Sequence, residues 1–225
     1  MKNIVITGAS RGIGLALVRQ FSAENFVYAL CRSEFPIGEL NDNIKVVKLD
    51  VTDESAIINF ANKLNDEQVA INLLINNAGI SGSDEDGNIK TDMQSVIEAF
   101  ASNTVGPMVL TLHMSIALRR AKNPVMIAIS SRMGTHAMLD GYNAQEWPYS
   151  ASKAALSFAV STFAINEPTI KSISVHPGWV KTSMGGPDAD MEPIDSALGI
   201  KKLYETIDSL ESGKMYNYDG KLMAW

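Results

Sequence analysis

Ile4-Val5-Ile6-Thr7-Gly8-Ala9-Ser10-Arg11-Gly12-Ile13-Gly14 carries a short β-branched run straight into a glycine turn. The apolar run reads as a buried strand, and a helical pattern follows from Gly12 to about Glu24. Gly8, Gly12 and Gly14 form Gly-x-x-x-Gly-x-Gly at the junction. Glycine permits positive φ and lets a ligand approach the backbone closely. A helix starting there offers unpaired N–H groups and a positive dipole end, which suit a pyrophosphate. Gly8, Ser10, Arg11, Gly12, Ile13 and Gly14 are therefore candidate dinucleotide-binding residues. No lysine follows the glycines as in a P-loop, which disfavours a nucleotide hydrolase.

Beyond this turn, apolar runs alternate with helical patterns. Strands are expected at Phe26–Cys31, Val46–Leu49, Ile71–Ile75, Val125–Ile129 and Ile173–Val175, with an edge strand at Met215–Tyr218. Helices are expected from Asp53, as cap, through Leu64, over Val96–Arg120 with a break at Gly106-Pro107, over Pro148–Ile165 and over Ile194–Leu210. This alternation means βαβ units. Right-handed crossovers then select a doubly wound α/β Rossmann fold: about seven strands, mostly parallel, with helices on both faces.

The 225 residues are 46% hydrophobic and 20% charged, enough for a sizeable core. No linker-like stretch divides them, which predicts one domain over 1–225. The net charge of −6 and scattered basic residues argue against a nucleic-acid surface or a polybasic membrane patch. No apolar run reaches the roughly 18 residues that span a bilayer, and no signal-peptide pattern is present, so a cytoplasmic protein is expected. A single cysteine, Cys31, rules out an internal disulfide and a zinc quartet. Asp84-Glu85-Asp86 reads as a solvated loop, and no metal site is expected.

Tyr149-Ser150-Ala151-Ser152-Lys153 places a phenol and an ammonium at i and i+4, on one helix face. An ammonium about 4 Å from the phenol, at an effective dielectric near 20, favours phenolate by roughly 4 kcal/mol. That corresponds to a downward pKa shift of up to about 3 units before desolvation opposes it. A tyrosine tuned this way exchanges protons with a carbonyl or alcohol oxygen at neutral pH. At the end of the second strand stands Arg32, where an NAD site would place an acid. With Arg11 it would grip a 2′-phosphate, which favours NADP(H) over NAD(H).

The chain resembles the short-chain dehydrogenase/reductase family over nearly its whole length. The glycine turn resembles the family's cofactor signature. Leu49-Asp50-Val51 resembles its adenine-contacting segment, and Asn76-Asn77-Ala78-Gly79 its Asn-Ala-Gly motif. Asn103 within Ser102–Pro107 and the serine of Ile129-Ser130-Ser131 match its catalytic positions. His176-Pro177-Gly178-Trp179-Val180-Lys181-Thr182 resembles the loop that meets the nicotinamide. Ser131 and Tyr149 lie 18 positions apart, more than the family usually keeps. That longer loop and the ending Tyr218-Asp219-Gly220 resemble the C-factor and sniffer-type carbonyl reductases. Ser131 fits the serine position best, though alternation lets only one of Ser130 and Ser131 face the site.

The resemblance implies hydride transfer between NADPH and an aldehyde or ketone, with Asn103, Ser131, Tyr149 and Lys153 as catalytic residues. Tyr149 would donate the proton and Ser131 would hold the substrate oxygen. Lys153 would tune Tyr149 and hold the ribose, and Asn103 would anchor a water. Asp50, Val51, Asn77, Ala78, Gly79, Pro177, Val180 and Thr182 would join the cofactor contacts, Val180 through its backbone at the carboxamide. Met133, Trp147, Trp179 and Met184 are expected to form an apolar substrate pocket, and 183–193 a lid. A cofactor-binding signalling protein with little turnover is the alternative. A sugar-nucleotide isomerase is disfavoured, since few residues follow Thr182. A homo-oligomer, dimer or tetramer, stays open: Leu110, Leu118, Leu156 and Phe158 serve either as contacts or as core.

Overall fold

The computed structural model describes residues 1–84, 88–138 and 146–225. Seven parallel strands form one sheet: β1 Asn3–Thr7, β2 Phe26–Cys31, β3 Ile44–Lys48, β4 Leu73–Asn76, β5 Val125–Ile129, β6 Lys171–His176 and β7 Met215–Asn217. Their order is β3-β2-β1-β4-β5-β6-β7. The chain steps outward from β1 to β3, then returns to lay β4 on the other side of β1. The crevice at this reversal, beyond the carboxyl ends of the strands, is where open α/β sheets bind ligands. This is the Rossmann-type fold expected from the alternation.

Successive strand residues enter opposite cores. Ile4 and Ile6 pack on one face with α1 (Gly12–Ser22) and α6 (Pro193–Glu205). Val5 packs on the other with α2 (Glu54–Asp66), α4 (Gly106–Arg119) and α5 (Trp147–Asn166). Both faces are therefore dry, and the inner strands read as unbroken apolar runs rather than alternating ones.

Most element boundaries fall within a few residues of expectation. Asp53 caps α2 by accepting from the Ala56 N–H at 3.0 Å. The helix expected from Val96 begins earlier, as α3 Met93–Phe100, because the Asp92 carboxylate caps it through the Ser95 N–H at 3.1 Å. The break expected at Gly106-Pro107 is a π-helical turn over Ala101–Val105. Gly106 is required there, since a Cβ would strike the Val51 carbonyl. The helix expected to run to Leu210 ends at Glu205 and gives way to a 3₁₀ turn, Ile207–Ser209.

Leu110, Leu118 and Leu156 are buried core, so of the four residues named for association only Phe158, 64% exposed, faces outward. Among the described residues, no helix is long and apolar enough to cross a membrane. No group of three metal-ligating side chains forms there either. Glu85 and Asp86 of the acidic loop lie outside the described residues.

Candidate active site

A cleft runs along the carboxyl ends of β1, β2, β4 and β5. It encloses about 1180 Å³, open solvent at its mouth included. Its walls hold Gly8, Ser10, Arg11, Gly12, Ile13, Gly14, Arg32, Asp50, Val51, Asn77, Ala78, Gly79, Tyr149, Lys153, Pro177 and Thr182. One cofactor candidate, Val180, is set back from this wall. Its side chain is buried, and the bridge between Val180 and Met191 ties its segment to the chain before α6.

The glycine turn owes its shape to close packing. Gly8 has φ of +64°, and a Cβ on Gly14 would strike the Gly8 carbonyl. Asn77 locks the turn to the loop after β4, its amide donating to the Thr7 carbonyl at 2.9 Å. Arg11, at the N-cap of α1, is extended and its side chain caps nothing. The first-turn N–H groups of α1 therefore face the cleft uncapped, as pyrophosphate binding requires.

Arg32 is not free. Its guanidinium lies 3.4 Å from Asp50, whose other oxygen accepts from the Thr52 N–H at 2.9 Å and hydroxyl at 2.8 Å. Burial pushes the Asp50 carboxyl up, but the Thr52 bonds and the Arg32 charge outweigh it and hold it below its usual range. The Arg32 side chain stays 72% exposed, so most of its fork faces the cleft mouth. Ser33, which sequence reasoning missed, lines the same mouth and shares a 2.9 Å hydrogen bond with Ser10. Its adjacency to Arg32 was the available signal.

At the other end, α5 brings Tyr149 and Lys153 to one wall, as the i, i+4 spacing requires. The two hydroxyls left open by sequence separate cleanly. Ser130 borders the cleft, but its hydroxyl turns inward, bonding the Lys153 carbonyl at 3.1 Å and the Ser157 hydroxyl at 2.7 Å. Ser131 hydrogen-bonds Tyr149 and accepts from the Met133 N–H at 3.2 Å. The tuning expected for Tyr149 is not found. Lys153 Nζ donates to the Ile129 carbonyl at 2.8 Å and lies 5.8 Å from the centre of the Tyr149 ring. Desolvation wins: burial pushes the Tyr149 hydroxyl up to about 12, against the Ser131 hydrogen bond and with help from the Glu146 charge. Burial also brings the Lys153 ammonium down to about 8. At neutral pH Tyr149 is thus a protonated phenol, the form that gives a proton away.

Asn103, fully buried in the π-turn, spends its amide on protein partners. Its oxygen accepts from the Ile80 N–H at 2.8 Å, and its nitrogen donates to the Ile80 carbonyl at 2.9 Å and the Ser152 hydroxyl at 3.0 Å. The Thr182 hydroxyl is likewise engaged, accepting from the Gly185 N–H at 3.1 Å.

Of the four residues expected to form an apolar pocket, only Met184 lines the cleft. Trp179 is drawn aside because its indole N–H donates to the Gly185 carbonyl at 2.8 Å. After Ser131 the long loop forms two 3₁₀ turns, Arg132–Gly134 and His136–Met138, and 139–145 lie outside the described residues. His176 is buried with its Nδ1 unpartnered, and desolvation, aided by Arg132, lowers it to about 4.

The chain is similar to C-signal of Myxococcus xanthus, 33% identical over 158 residues that cover 69% of this chain and 93% of that protein. Its fold is similar to that of an NADPH-bound carbonyl reductase from chicken fatty liver, with a TM-score of 0.88 and 30% identity over 100% of this chain and 99% of that one. The carbonyl reductase Sniffer of D. melanogaster gives 0.87 and 27% over the whole of both chains. Residues 2–193 match the family described as short chain dehydrogenase. With this match across most of its length, the chain belongs to the short-chain dehydrogenase family.

Proposed function

We propose that this protein is an NADP(H)-dependent oxidoreductase that interconverts an aldehyde or ketone and its alcohol. The observation that carries the reading is the meeting of Tyr149, its Ser131 partner and Lys153 beside a cleft whose far end holds the glycine turn and Arg32. The carbonyl reductases among its structural neighbours support the same chemistry.

Bound NADPH supplies the hydride. Gly8, Gly12, Gly14 and the first turn of α1 hold the pyrophosphate, and Asp50 and Val51 border the adenine. Arg32, with Arg11, Ser10 and Ser33, takes the 2′-phosphate. Tyr149 gives its hydroxyl proton to the oxygen of the substrate, where negative charge grows. Ser131 donates a second hydrogen bond to that oxygen, a preorganised partner for the developing charge. Lys153, charged below about pH 8, lies on the same wall, where its ammonium would reach the ribose. Proton return to Tyr149 runs through Lys153, with Asn103 shaping the path. Val180, though set back from the wall, would offer backbone groups to the carboxamide, and Pro177 and Thr182 would close the nicotinamide end.

NADPH oxidation against a panel of aldehydes and ketones tests this. Tyr149→Phe should lower turnover by about 100-fold or more while NADPH still binds. An unchanged rate in that variant discards the mechanism. The likeness to C-signal favours a second reading, a cofactor-binding signalling protein. It predicts NADPH binding without turnover of any carbonyl compound.

A further inference from the structure

Ser152 lies between Tyr149 and Lys153 in sequence but does not line the cleft. It is fully buried, on the far side of the α5 turn that carries both. Its hydroxyl donates to the Tyr149 carbonyl at 2.7 Å and accepts from the Asn103 amide at 3.0 Å. Its own carbonyl accepts from the Thr104 hydroxyl at 2.8 Å. Two successive residues of the π-turn therefore grip one residue of α5, one through its side chain and one through its backbone.

The grip extends to the third wall of the cleft. The Asn103 amide that reaches Ser152 also pairs with both backbone groups of Ile80, just past Gly79. A Cβ on Gly79 would sit 2.9 Å from the Asn103 oxygen and 3.3 Å from Lys153 Nζ. Ile80, Asn103 and Ser152 thus form one chain of hydrogen bonds from the loop after β4 to the first turn of α5. Asn103 and Ser152, at its centre, are fully buried, where such bonds are strong and a missing partner is costly.

We infer that Ser152 is a positioning residue for the proposed reaction. By tying Tyr149 and Lys153 to the π-turn and to Ile80, it sets the height of the proton donor over the cleft floor. It touches neither cofactor nor substrate, and acts through the backbone of Tyr149. The back-bond to Tyr149 alone would bend the helix slightly. The added hold of Asn103 and Thr104 makes that bend a fixed one. This inference rests on the oxidoreductase reading.

The test compares Ser152→Ala and Thr104→Val with wild type, as full-length proteins. Three measurements are made: NADPH-dependent reduction of benzaldehyde, NADPH affinity by nicotinamide fluorescence, and the titration of Lys153 by NMR of isotope-labelled lysine. Misplacement by a fraction of an ångström to 1 Å should lower kcat of Ser152→Ala by about 10- to 100-fold, with NADPH affinity unchanged. The Lys153 midpoint should rise from about 8 toward the ordinary lysine value as water reaches the loosened turn. Thr104→Val should move both in the same direction by less, and carries the test alone if Ser152→Ala does not fold. Wild-type kcat together with an unmoved Lys153 midpoint overturns the inference. If wild type reduces no carbonyl compound, the oxidoreductase reading fails, and the Lys153 midpoint by itself upholds or overturns the positioning.

Discussion

Replacing Lys153 by methionine should change how stability depends on pH. Lys153 is 4% exposed, and burial brings its ammonium from 10.5 to about 8. Below about pH 8 the amine is charged in both the folded and the unfolded chain. Between about 8 and 10.5 the unfolded chain keeps a proton that the folded protein has released, so stability rises with pH. Integrated from about pH 7 to about pH 10, the gain is about 2.5 kcal/mol. Lys153→Met has no such group and lacks the gain. Urea unfolding of both proteins across this range reads the difference, in which groups remote from Lys153 and common to both proteins cancel. Wild type should gain on the variant by that amount on the alkaline side. A difference that stays flat to within about 0.5 kcal/mol would refute the desolvation argument, and with it the protonation states assigned to the site.

Arg32→Asp should weaken NADPH by about 10- to 100-fold, the worth of a charge-assisted hydrogen bond, and NADH far less. Equal losses for both cofactors in binding titrations would remove Arg32 from the 2′-phosphate. Gly14→Ala drives a methyl into the Gly8 carbonyl, so it should cost about 1–3 kcal/mol in urea unfolding and abolish NADPH binding. His176, held neutral down to about 4, makes wild type lose stability as pH falls from about 6.5 toward 4. His176→Gln should flatten that acid limb by about 3 kcal/mol. Proteolysis within 183–193 should slow when NADPH is added, and equal cutting with and without it would discard the lid.

The sheet was legible because it is buried on both faces. Runs such as Val125–Ile129 admit little but a central strand, and glycine spacing located the cleft. What sequence concealed depends on long-range packing. The i, i+4 rule put Tyr149 and Lys153 on one wall, but not the Ile129 carbonyl that captures the amine or the desolvation that reverses the expected shift. Alternation left Ser130 and Ser131 undecided until the Ser157 hydroxyl claimed the first. The indole of Trp179 reads as a pocket wall until a carbonyl six residues on draws it away. Apolar periodicity alone marks the helix from Val96, whereas the Asp92 cap starts α3 at Met93.

The π-turn at Ala101–Val105 winds five residues between α3 and α4 where the ladder elsewhere skips four. That surplus is a local swelling of the rod. Excising one residue would restore an even pitch and close the swelling, leaving the helices on either side nearly in their present phase. Asn103 would then turn its amide off Ile80 and Ser152, though both helices survived. The least tolerant alteration on this side of the molecule is accordingly a change of length, even one that removes no named side chain.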